Sequence, residues 1–239
     1  MSCGFCHGGI VRMDEKEKKK VKKNIPSPIE RFLENLTYAT FGKITPKWMT
    51  PNMITAFGAL WGLFGIICAA LSRISPYFLI GTIFGLFGHL FCDDLDGYIA
   101  IQRNMKSNRG AYFDLLTDIL HITYLLIALT FAGVMHWWFS IFVVPVYGII
   151  IFTSMNEIHY LGEFSFPTVG PAETHLFFVA IMIGSMITKM QPLFTVWNIP
   201  VTFADLVCLV GGIPMYVEMI RLQITIYIRI RRKDKKLEE

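Results

Sequence analysis

Asp93-Asp94-Leu95-Asp96-Gly97, followed by Gly110, Asp114 and Asp118, is where this sequence concentrates side chains that can do chemistry. Five of its eight aspartates fall between positions 93 and 118, and long apolar runs flank them on both sides. A carboxylate beside hydrocarbon is costly and needs a charged partner. Asp93 and Asp96 are three apart and share one helix face, while Asp114 and Asp118 are four apart and share a face of the next. A short connection makes those two helices antiparallel neighbours, so the four carboxylates can converge. Asp94 lies about 100° round the helix from Asp93 and should miss the focus.

Oxygen-only ligands suit hard cations such as Mg²⁺, Mn²⁺ or Ca²⁺. Gly97, Ala100 and Gly110 keep the adjoining helix faces free of bulk, leaving room for a ligand to lie against them. Metal, smooth face and access from the cytosol together suggest a phosphate-bearing substrate. Two other readings use the same residues. Small residues in membrane helices also mediate close packing, and intramembrane aspartates also serve ion or proton transport. Four in-register carboxylates with three small residues exceed what packing requires, which favours metal-dependent phosphate chemistry over a divalent-cation channel or carrier.

The elements that must hold these residues are legible from composition. The chain has 239 residues, 54% hydrophobic and 17% charged, with mean hydropathy +0.49. A soluble domain carries about 25% charge, so the expected fold is all-α and polytopic. Basic clusters precede the first apolar run (Arg12 to Lys23) and follow the last (Arg229 to Lys236). Such flanks stay cytoplasmic, which places both termini on that side and demands an even number of crossings. Six spans are expected near 52-72, 76-101, 111-133, 137-158, 172-190 and 202-228, with Pro51 suited to the first position of the first helix. Before them, residues 25-46 read as an amphipathic helix lying in the membrane interface. Residues 1-24 read as a disordered basic tail, 47-230 as the six-helix domain and 231-239 as a charged tail. Cys3, Cys6 and His7 match a haem-attachment spacing, but at an unpacked terminus that reading is not expected to hold.

Asp93, Asp96, Gly97, Ala100, Gly110, Asp114 and Asp118 also resemble a known pattern, D-x-x-D-G-x-x-A-R, eight residues, then G-x-x-x-D-x-x-x-D. It belongs to the CDP-alcohol phosphotransferase (CDP-alcohol phosphatidyltransferase) family of integral membrane enzymes. One position departs from it, since Ile101 stands where the family has arginine, with Arg103 and Arg109 as the nearest substitutes. Thr50-Pro51-Asn52 resembles a further signature. The resemblance implies transfer of a substituted phosphate group from a CDP-alcohol to a second alcohol, with release of CMP. It implies two Mg²⁺ or Mn²⁺ ions on Asp93, Asp96, Asp114 and Asp118, with Asp118 as general base. Asn52, Gly97, Ala100, Gly110, Arg103 and Arg109 would line the nucleotide site. Expected partners are the CDP-alcohol, a lipid or small-alcohol acceptor, membrane lipids and a second copy of the chain, with no nucleic acid. The active site would be cytoplasmic, in the endoplasmic reticulum of a eukaryote or the inner membrane of a bacterium.

Two branches are open. Residues 109-118 look like phosphatidylinositol synthases, which take CDP-diacylglycerol as donor. Other enzymes of that branch use serine or glycerol phosphate as acceptor. Residues 170-175 look like choline/ethanolamine phosphotransferases, in which CDP-choline or CDP-ethanolamine gives its headgroup to a lipid hydroxyl. A phosphorylated acceptor needs Arg or Lys in its pocket. Near the cytoplasmic side the last three spans offer only Arg221 before the terminal cluster, against several Glu and His, which favours the aminoalcohol branch. Glu173, His175 and Arg221 are the candidate acceptor or headgroup residues. Glu157, His159, Glu163 and His175 also fit a solvated inner loop. Ile101 alone supports a third reading, a silent relative that only binds CDP-lipid.

Overall fold

Thr50 opens the first long apolar helix. Its backbone is extended and its hydroxyl accepts from Met53 N at 3.4 Å, while Pro51 occupies the first turn, where a missing N–H costs little. The computed structural model describes residues 28–161 and 171–238. The basic tail with Cys3, Cys6 and His7, and Glu163 in the inner loop, lie outside the described residues. The elements are α1 (Pro28–Ile44), α2 (Pro51–Leu71), α3 (Phe78–Gln102), α4 (Asn108–Ala132), α5 (Trp137–Leu161), α6 (Pro171–Ile187), strands β1 (Phe194–Val196) and β2 (Ile199–Val201), and α7 (Phe203–Glu238).

Five helices, α2, α3, α4, α5 and α7, are long and apolar enough to cross a bilayer. The remaining expected span, α6, is a shorter helix of 17 residues. The α7 helix runs unbroken through the basic residues to Glu238, past the span end expected at 228. A hairpin not foreseen from sequence fills the return between α6 and α7. Positive φ at Lys189 and Met190 ends the helical course, and positive φ at Trp197 and Asn198 makes the two-residue turn that matches strand twist.

Glycines let α2 and α3 approach. A Cβ on Gly65 would lie 3.2 Å from Gly85 Cα, and one on Gly58 would lie 2.8 Å from Cys92 Cβ. Leu79, Leu86, Leu125, Leu126 and Met182 are fully buried in the main core, which joins α3, α4 and α6. The α1 helix docks on the end of α3 by stacking Tyr38 on Tyr98, centroids 4.3 Å apart. Phe32, Leu36, Phe41 and Ile44 stay exposed.

Both ends of the bundle are tied by polar groups. At the α4–α5 turn, Gly133 ends α4 in the left-handed conformation. There the buried Asp205 of α7 accepts from His136 N at 2.7 Å and Thr202 N at 2.9 Å, and pairs with His136 Nδ1 at 2.6 Å. At the other end, Glu157 is not in a solvated loop, as the sequence suggested. It is a fully buried residue of α5, paired with Arg229 of α7 at 2.5 Å. His159, two residues on, is exposed.

Candidate active site

The carboxylates lie within the helices rather than at their ends. Asp93 sits more than two turns before the end of α3, and Asp118 nearly three turns past the start of α4. The antiparallel pair therefore brings them to one level. Asp93, Asp114 and Asp118 each place an oxygen within 4.8 Å of the others. Three hard oxygen donors at this spacing fit a divalent cation such as Mg²⁺ or Mn²⁺ and do not suit a soft metal. Asp94 stands outside the group, as its angular position on the helix suggested.

Asp96 has a different neighbour. It is 5% exposed, and its Oδ2 accepts a hydrogen bond from the Thr55 hydroxyl of α2. The fourth expected metal ligand is thus held by the helix that also carries Asn52. Asn52 and Gly110 meet directly, since a Cβ on Gly110 would lie 2.9 Å from Asn52 Oδ1 and 3.0 Å from Ser107 Oγ. Ser107 caps α4 by accepting from Gly110 N at 3.0 Å. Gly97 faces open space, with no atom within 4 Å of an added Cβ, and Ala100 is half-buried. Among the described residues the face of α3 at Gly97 is therefore open, whereas the space at Gly110 is taken by Asn52 and Ser107.

Of the two substitute cations, Arg109 is exposed. Arg103 donates to the carbonyls of Thr45 at 2.9 Å, Pro46 at 3.1 Å, Lys47 at 3.4 Å and Met49 at 2.7 Å. It anchors the α1–α2 linker, and through it the start of α2 and Asn52. Ile101 points outward, 56% exposed. Arg221 is exposed on α7 and holds the Glu218 carboxylate with two hydrogen bonds, 2.7 and 2.5 Å. Glu173 lies in the first turn of α6, and its side chain is outside the described residues. His175, further into α6, is buried among two histidines that sequence reasoning did not single out.

Those two are His89 and His121. Their rings stack with centroids 4.1 Å apart, and His89 Nε2 stands 3.8 Å from Asp118 Oδ1. A signal for them existed in the sequence. His89 is four residues before Asp93 and His121 three after Asp118, so each shares a helix face with a carboxylate.

Fold and site define a helical membrane protein with a carboxylate group recessed between two of its spans. The profile of the CDP-alcohol phosphatidyltransferase family matches residues 48–204, from the approach to α2 to the start of α7. The chain belongs to that family, which is a family of phosphotransferases. It is similar to "Uncharacterized CDP-alcohol phosphatidyltransferase class-I family protein 2" of Dictyostelium discoideum, 27% identical over 198 residues, covering 75% of this chain and 47% of that protein. The chain thus spans about half the length of the curated relative it matches.

Proposed function

We propose that this chain transfers a substituted phosphate group from a CDP-alcohol to a second alcohol and releases CMP. One observation carries the reading. Asp93, Asp114 and Asp118 converge beside the helix face that Gly97 leaves open, with Asn52 packed on Gly110. A channel or carrier has use for the carboxylates but none for that open face.

Asp93, Asp96, Asp114 and Asp118 are the residues that would hold two Mg²⁺ or Mn²⁺ ions. Such ions, when bound, neutralise the pyrophosphate and ease the departure of CMP. Asn52, Gly97, Ala100 and Gly110 take the nucleotide, and Arg109 reaches it from the exposed rim. Arg103 contributes by fixing the linker that carries Asn52. Asp118 removes the proton from the acceptor hydroxyl, whose oxygen bonds to the β-phosphorus as the bond to CMP breaks. An alcohol is a poor nucleophile at neutral pH, and a positioned base contributes ~10²–10⁴-fold.

The donor is CDP-choline or CDP-ethanolamine and the acceptor a lipid hydroxyl. Among the described side chains, every Lys and Arg is exposed except Arg103 and Arg229, and both are engaged. An anionic acceptor has no buried cation to meet there. Residues 109-118 favour the second reading, a CDP-diacylglycerol-dependent phosphatidyltransferase acting on inositol, serine or glycerol phosphate. The chain works as a homodimer with both termini and the site facing the cytoplasm.

The test is CMP release by full-length protein in nanodiscs with Mg²⁺ or Mn²⁺, crossing CDP-alcohols with acceptors and identifying products by lipid mass spectrometry. Asp118→Asn should lose turnover while CDP-choline still raises its Tm in the presence of metal. Cation flux into vesicles with no CMP from any pair would sink the proposal.

A further inference from the structure

Just beyond the carboxylates, deeper in the bundle, lies a polar cluster that the metal site does not use. His121 is 4% exposed, and among the described residues neither of its ring nitrogens has a hydrogen-bond partner. Buried polar groups are almost always satisfied, and an exception calls for a functional explanation. His89 and His175, also buried, stand beside it. Gly62 of α2 closes the cluster from one side. A Cβ there would come 3.0 Å from His89 Cδ2 and 3.1 Å from His121 Cδ2.

A metal ion is not what the cluster suits. Among the described residues, these histidines join no set of donor atoms within metal-binding reach. A hydroxyl does suit it. The 3.8 Å between His89 Nε2 and Asp118 Oδ1 is too long for a hydrogen bond. A hydroxyl oxygen placed about 2.8 Å from each would bridge the two atoms. It both donates and accepts, as imidazole requires.

Depth selects the kind of hydroxyl. His89 and His121 each lie thirteen residues from the ends of α3 and α4 nearest the carboxylates, which is about 20 Å along the axis. A hydrocarbon core is about 30 Å thick, and both histidines lie near the midpoint of the 25-residue helices α3 and α4. A water-soluble acceptor would have to pass the carboxylates and the bound pyrophosphate. An alcohol dissolved in the bilayer arrives from the other direction.

We infer that His89, His121 and His175 form the pocket that receives the reacting hydroxyl of the lipid acceptor. The inference rests on the phosphotransferase reading and names the residues that hold the acceptor in the same site. In the transfer, the acceptor O–H bond breaks and its oxygen bonds to the β-phosphorus. The proton goes to Asp118, and CMP leaves with the electron pair of the broken P–O bond. His121 is a binding residue for the acceptor and exchanges no proton in this scheme.

Full-length protein in nanodiscs with Mg²⁺ decides the matter. Wild type should use 1,2-diacylglycerol with a kcat/KM at least 100-fold above that for inositol or glycerol 3-phosphate. His121→Leu should raise the diacylglycerol KM at least tenfold and leave the CDP-alcohol KM within twofold, with His121→Asn in between. Diacylglycerol without donor should raise the Tm of wild type and not of His121→Leu. An unchanged acceptor KM in His121→Leu, or a preference for glycerol 3-phosphate or inositol, would overturn the inference while leaving the phosphotransferase reading intact. Absence of CMP with every pair would sink that reading instead, and the diacylglycerol Tm shift would still report on the pocket. Should His121→Leu not fold, the wild-type acceptor preference and the acceptor KM of His121→Asn decide between the outcomes.

Discussion

Asn52 at the start of α2 and Gly110 at the start of α4 stand so close that a methyl group on Gly110 would lie 2.9 Å from the Asn52 side-chain oxygen. Two residues that the motif assigns to one nucleotide are thus in contact through a fold that brings separate helix N-termini together.

Gly110→Ala should therefore displace the Asn52 amide and disturb the Ser107 cap at once. We expect a CDP-alcohol KM about tenfold higher, or ~1.4 kcal/mol, with kcat less affected. Asn52→Ala should have a similar effect, and the double variant should fall short of the product of the two, because neighbours in contact are not additive. Steady-state kinetics of the three variants checks this, and fully multiplicative effects would count against a shared role.

Arg103 gives four backbone carbonyls their hydrogen bonds. Arg103→Ala should lower stability by about 2–3 kcal/mol, since bonds to a charged donor exceed neutral ones. Thermal unfolding in nanodiscs is the readout. Arg103→Lys should recover only part, because an ammonium cannot span the same fork. An Arg103→Ala protein with unchanged Tm and a lost donor affinity would assign the guanidinium to the nucleotide instead.

Thr55 holds Asp96 from the neighbouring helix. Thr55→Val keeps the shape and removes the hydroxyl, leaving a buried carboxylate oxygen with one partner fewer. The free carboxylate should turn toward the other acidic groups. The expected result is a metal requirement for activity shifted by several-fold, with a stability change of about 1–3 kcal/mol. A metal titration of turnover measures the first and Tm the second, and no change in either would show the contact to be incidental.

Glu157 and Arg229 make the polar tie between α5 and α7. Removing Arg229 is expected to cost about 3–5 kcal/mol, because the fully buried Glu157 carboxylate loses its cation, whereas removing Glu157 costs less, since Arg229 is 34% exposed. Arg229→Met alone should be markedly less stable than the double variant, and Glu157→Gln alone only mildly so. Equal losses in all three would mean that the pair matters through packing alone.

Local periodicity carried much of the architecture. Five of the six expected apolar segments became helices long enough to span a bilayer, with most ends within a few residues of those read from Pro51, Gly133 and the charged flanks. Segments of this kind are set by hydrophobicity and backbone hydrogen bonding, which neighbours in sequence supply. Asp93 and Asp96, or Asp114 and Asp118, share faces for the same local reason. The β-hairpin escaped notice because Trp197 and Asn198 are not the Asn-Gly or Asp-Gly pair that announces such a turn.

What required the folded chain was the rotation of each helix about its axis. Gly58, Gly62 and Gly65 bring α2 against its neighbours, and that approach hands Asp96 to Thr55 and leaves three carboxylates facing one another. The same packing buries His89 against His121 and turns Arg103 onto the α1–α2 linker. Residues on one helix know their relative angles from the helical repeat, whereas partners on different helices meet only where the backbones fit. For this chain, spacing determined which side chains could do chemistry, and close helix contact decided which of them meet.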